Sequence, residues 1–102
     1  MPRIRTIKPE LFPTREQRFA ARMWALKKQK NSGRMKRMLI EWPGVRRLTV
    51  SSGGQAPCFC AVGVELYDGA EITAYGRMFQ KRKALLMAAL RAAKYLCGRS
   101  TA

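Results

Sequence analysis

Between residues 58 and 67 the chain alternates with a period of two. Cys58, Cys60, Val62, Val64 and Leu66 fall on one side, and Phe59, Ala61, Gly63, Glu65 and Tyr67 on the other. That period predicts a half-buried β-strand. Asp68-Gly69 follows, a pair that tolerates positive φ and so predicts a tight hairpin, with Ala70 to about Arg77 as the returning strand. Upstream, residues 45–51 (VRRLTVS) form a shorter strand with Leu48 and Val50 facing inward, followed by the loop SSGGQAP.

On both flanks the period lengthens. From Thr14 to about Lys30, Phe19, Met23 and Leu26 recur at helical spacing, with Arg15, Arg18 and Arg22 as a second stripe. Thr14 and Gln17 stand three apart, the spacing of a capping box. Asn31-Ser32-Gly33 breaks that pattern. Met35, Met38, Leu39 and Trp42 then predict a second short helix ending at Pro43-Gly44. Residues 80–97 predict a longer helix, with Leu85, Ala89, Ala92 and Leu96 beside Leu86, Leu90, Ala93 and Cys97, and Gly98 as its stop. Residues 1–13 carry Pro9 and Pro13 among alternating basic and apolar residues, which predicts an extended basic arm.

These elements define an α+β fold over a single domain, residues 14–102. A three-stranded antiparallel sheet packs on a C-terminal helix, with one or two helices before it (α-β-β-β-α). The cysteine, valine and leucine face is the expected seat of the last helix. The other face carries Phe59, Tyr67 and Tyr75, and the N-terminal helix is its expected cover. Trp24 and Trp42, on helix faces, are expected in the core.

Composition narrows the chemistry. A chain of 102 residues suits one core, and 47% hydrophobic residues exclude a disordered basic tail. No apolar run reaches the length of a membrane span, and the basic start lacks the apolar stretch of a secretory signal, which predicts a cytoplasmic protein. Three cysteines, an odd number, point to reduced thiols packed as small hydrophobes. Histidine is absent, so structural zinc lacks its fourth ligand and general acid–base chemistry its usual side chain. Six scattered acids form no magnesium cluster. The expectation is a non-enzymatic protein without metal or cofactor.

Charge changes the picture most. The net charge is +15, with 21 Lys and Arg, yet Leu48 to Gly76 contains none of them. An anionic partner follows, because Lys and Arg that neutralise phosphates release condensed counterions. Phosphates would therefore meet the helices that flank the hairpin. Lys81, Arg82 and Lys83 crowd the start of the last helix, where their charges oppose the helix dipole; a phosphate held by them and the free amides offsets that cost.

Gly53-Gly54-Gln55-Ala56-Pro57 between the first two strands, and Lys81-Arg82-Lys83-Ala84 with Ala88-Ala89 in the last helix, resemble the loop and helix start of double-stranded-RNA-binding domains. The resemblance spans about residues 46–97. It implies an α-β-β-β-α fold, duplex RNA as the ligand, and backbone contacts from the loop and the helix start. Pro43-Gly44-Val45-Arg46-Arg47, and Tyr75-Gly76-Arg77-Met78-Phe79 before an alanine-rich helix, are similar to AP2-type and integrase arm-type DNA-binding domains. That second resemblance implies sequence-specific DNA reading by Arg46, Arg47 and Arg77 on the strands. The opening dozen residues resemble certain phage proteins of DNA metabolism.

The candidate contacts are therefore Arg15, Arg18, Arg22, Arg46, Arg47, Gly53, Gly54, Arg77, Lys81, Arg82 and Lys83. The expected partner is duplex RNA or DNA. The alternative from another class is a small phage inhibitor that binds a host defence protein complex through its basic and aromatic surface.

Overall fold

The computed structural model describes residues 14–55 and 57–101. Thr14 opens α1 (Arg15–Lys28) with a complete capping box: its Oγ1 accepts from the Gln17 amide at 3.0 Å, and Gln17 Oε1 accepts from the Thr14 amide at 3.2 Å. Two of the four unpaired amides of the first turn are thereby satisfied. The break after α1 lies earlier than the sequence pattern implies. Lys30 takes a positive φ of 59°, Asn31 caps α2 (Ser32–Glu41) by accepting from the Arg34 amide, and Ser32 and Gly33 belong to that helix.

The order is α1, α2, β1 (Val45–Gly53), β2 (Cys58–Leu66), β3 (Glu71–Met78), α3 (Lys81–Thr101), with strands adjacent in chain order and antiparallel. Gly69 has a φ of +91° in the hairpin turn, and Asp68 Oδ1 accepts from the Ala70 amide at 2.9 Å. Both halves of the Asp-Gly signal are thus in use.

All three helices form one layer on one face of the sheet. α3 lies on β3 and β2, α2 on α3 and β1, and α1 on α3 and α2. Val62, Val64 and Leu66 face that layer and join Phe19, Met23, Met35, Leu39, Leu86 and Leu90 in one apolar cluster. At Gly76 the helix and sheet backbones touch. A Cβ there would collide with the Ala84 carbonyl oxygen and stand 2.9 Å from the Ala88 amide nitrogen. The alanine face of α3 (Ala84, Ala88, Ala89, Ala92, Ala93, all buried) is what permits so close an approach.

Four expectations change. The first concerns α1, which lies in the helical layer because Phe19 and Met23 pack with Met35, Leu39 and Trp42; the outer face of the sheet stays open. Trp42 is buried and stacks on Phe19 with centroids 4.3 Å apart, but Trp24 is half exposed beneath the Lys28 ammonium. One residue on from buried Met23 turns it about 100° away from the core. Val50, third, shares the inner face with Val62 by register yet is 41% exposed, because α3 reaches only β2 and β3. Finally, Gly98 does not stop α3, which runs on to Thr101. The basic arm of residues 1–13 lies outside the described residues.

Candidate nucleic-acid interface

Strand register decides which candidate residues meet. Gly53 pairs with Phe59, and Phe59 with Arg77, so one row across the outer face reads Gly53, Phe59, Arg77. The next rows read Ser51, Ala61, Tyr75, then Thr49, Gly63, Thr73, and at the far end Arg47, Glu65, Glu71. β3 ends one residue after Arg77, and α3 starts three residues further on. The glycine loop, Arg77 and Lys81-Arg82-Lys83 therefore share one end of the molecule.

Lys81, Arg82 and Lys83 are all exposed, and the first turn of α3 contains no acid. The Ala84 amide is already bonded to the Gln80 carbonyl at 3.1 Å, which makes Gln80 the point where the helix begins. Lys36 of α2 belongs to the same neighbourhood. Burial pushes the Cys60 thiol pKa up, while Lys81 and Lys36 pull it down, so both ammonium groups act on one inner-face position of β2. The sequence pattern did not single out Lys36. Its only signal was its place on α2 next to Met35, and its influence on Cys60 depends on how α2 packs.

The other candidates are elsewhere. A strand irregularity between Val45 and Arg47 lets two successive residues reach the same partner: Arg46 lies 3.5 Å and Arg47 3.8 Å from the Glu65 carboxylate. An unbroken strand would send them to opposite faces. These exposed pairs add little stability, but they commit two of the three sheet arginines to a carboxylate. The α1 arginines lie near the far end of α3, where the Cys97 thiol meets the Glu16 carbonyl at 3.4 Å. There the Arg15 guanidinium sits 5.1 Å over the Trp42 ring and 3.7 Å from Glu16. Arg18 is half-buried, and Arg22 faces a groove between α1 and α2 together with Arg34 and Arg37. Arg34 and Arg37 were not foreseen; their three-residue spacing on the polar side of α2 was the signal available.

Among the described residues Cys58, Cys60 and Cys97 form no disulfide. Burial raises the pKa of Cys97 as well, and Glu16 adds to the effect. Among the described residues no helix is long and apolar enough to cross a membrane. The chain matches no protein family, no curated protein and no solved structure.

Proposed function

We propose that the protein is a non-enzymatic nucleic-acid-binding module that holds the phosphate backbone at the start of α3. One observation carries the reading. The Gly53-Gly54 loop, Arg77 and the exposed Lys81-Arg82-Lys83 turn lie at one end of the molecule. Helix amides and several cations then share one anion, the arrangement that binds phosphate best. The charge distribution supports it: the three helices carry 14 Lys and Arg against Glu16 and Glu41, whereas the strands carry three Arg against two Glu. Duplex RNA or DNA bound largely by shape fits a surface of this kind. The AP2-like alternative is weakened because Arg46 and Arg47 face Glu65.

The test compares two charge-matched variants in a salt-titrated binding assay on duplex RNA, duplex DNA and single strands. Lys81→Ala/Arg82→Ala/Lys83→Ala should cost about 1–3 kcal/mol of affinity more than Lys27→Ala/Lys28→Ala/Lys30→Ala. It should also flatten the salt dependence by at most about three phosphate contacts. Equal losses from both variants, each folded by circular dichroism, would leave only a diffuse basic surface.

A second reading, a phage protein that docks on a host protein complex, is favoured by the bare rings of Phe59, Tyr67 and Tyr75. Tyr67 lies beyond the acidic row at the hairpin end, so the three rings do not form one patch. This reading ranks second.

A further inference from the structure

We infer that the open face of the sheet is a platform for unpaired nucleobases, with Phe59 and Tyr75 stacking on bases of a single-stranded segment whose phosphates lie along Arg77 and the start of α3. The inference rests on the phosphate anchor of the nucleic-acid reading above and adds a second ligand form beside the duplex, an unpaired strand, with the groups that bind its bases.

The rings stand on adjacent strands with centroids 5.4 Å apart and planes tilted by 34°. Phe59 is 42% and Tyr75 51% exposed; across the strands Phe59 is flanked by Gly53 and Arg77, and Tyr75 by Ala61, so the Arg77 side alone carries a large neighbour. Elsewhere the face offers Thr49, Gly63 and Thr73. Without Leu, Ile or Val it has no aliphatic centre of the kind a protein interface buries. Flat rings on a hydrophilic floor suit base faces, which stack on aromatics whatever the base.

Charge selects the same occupant. Both rings lie within the cation-free stretch from Leu48 to Gly76, and cations begin at once beyond it. Phe59 shares its row with Arg77, and Phe79, 81% exposed, lies between Arg77 and the Lys81 turn along the chain. Glu65 and Glu71 are two rows away from Tyr75 and three from Phe59. A nucleotide has the same division, a neutral aromatic base on one side and an anionic phosphate on the other. A duplex hides its base faces, so only unpaired nucleotides can use the rings.

The test measures binding of labelled oligothymidine or oligouridine 12-mers, the same strand with abasic sites, and a duplex of equal length. Phe59→Ala/Tyr75→Ala should lose about tenfold in single-strand affinity per ring and change duplex affinity less than about twofold. Abasic strands should bind wild type as weakly as intact strands bind the ring variant. If the ring variant keeps full single-strand affinity while Lys81→Ala/Arg82→Ala/Lys83→Ala loses it, the platform is wrong and the phosphate anchor stands. Absence of binding by wild type to every oligonucleotide overturns both. A wild-type dimer that becomes monomeric in the ring variant, with oligonucleotide binding unchanged, gives the face to a second copy and also overturns the platform. Circular dichroism of each variant separates lost binding from lost fold.

Discussion

The two faces of the sheet are built from the same three strands and differ in nearly every physical respect. On the inner face Cys60, Val62, Val64 and Ala74 are almost fully buried and are covered by helices. On the outer face, one residue along each strand, lie threonines, small residues and two half-exposed rings. The inner face holds the molecule together through apolar burial and close backbone contact. The outer face contributes little to that and is free to serve binding. Alternation with a period of two thus separates buried from exposed positions at single-residue resolution.

The sharpest way to break the comparison is at Gly76, an inner-face position with no room at all. Gly76→Ala places a methyl group against the backbone of Ala84 and Ala88, which cannot rotate away as a side chain could. Urea denaturation should show a loss of about 3 kcal/mol, at the upper end for overpacking. A loss under about 1 kcal/mol would mean that α3 sits further from the sheet than described.

A matched pair sharpens it. Val62→Ala empties a fully buried site on the inner face and should cost about 2 kcal/mol. Phe59→Ala, three residues earlier on the outer face, removes a larger side chain and should cost less than about 1 kcal/mol, mostly its contact with Tyr75. Similar losses at both positions would show that the outer face is not spare surface.

The smallest expected effect is a dependence on pH. Burial raises the Cys60 pKa above its ordinary value of 9.0, so the folded state holds the thiol proton more tightly than the unfolded chain does. Stability from this group is complete below the unfolded pKa and is lost as pH rises towards the folded one. Melting temperature should therefore decline from about pH 9 upward, and Cys60→Ala should flatten part of that decline. An unchanged slope in the variant would assign the loss to other groups.

Most of the fold was legible because it rests on local periodicity. The alternation of Cys58 to Leu66, the Asp68-Gly69 turn and the Thr14–Gln17 capping box each specify an element within a few residues. What was not legible depends on distance in space. Placing α1 requires knowing that Phe19 stacks on Trp42, 23 positions later in the chain. The exposure of Val50 follows from how far α3 extends across the sheet, and no pattern within β1 records that. Gly98 looks like a stop, but its φ stays out of the left-handed region and the helix passes through it. The candidate site divided in the same way. Lys81, Arg82 and Lys83 were found from their place in a helix turn, whereas the commitment of Arg46 and Arg47 to Glu65 depends on a strand irregularity, and the influence of Lys36 on Cys60 depends on how α2 packs.

The contact between Gly76 and the backbone of Ala84 and Ala88 also bears on how the molecule opens. Because these atoms are main chain on both sides, the first turns of α3 cannot fray while β3 stays in the sheet without breaking that contact. The amides of β3 and those of α3 from Ala84 onward should therefore exchange as one cooperative unit, which hydrogen exchange can check. Helix starts ordinarily have the freedom to loosen, and this one is fastened at its second turn. The backbone that carries Lys81, Arg82 and Lys83 is consequently tied to the backbone that carries Arg77, while the four side chains, all exposed, keep their rotamer freedom.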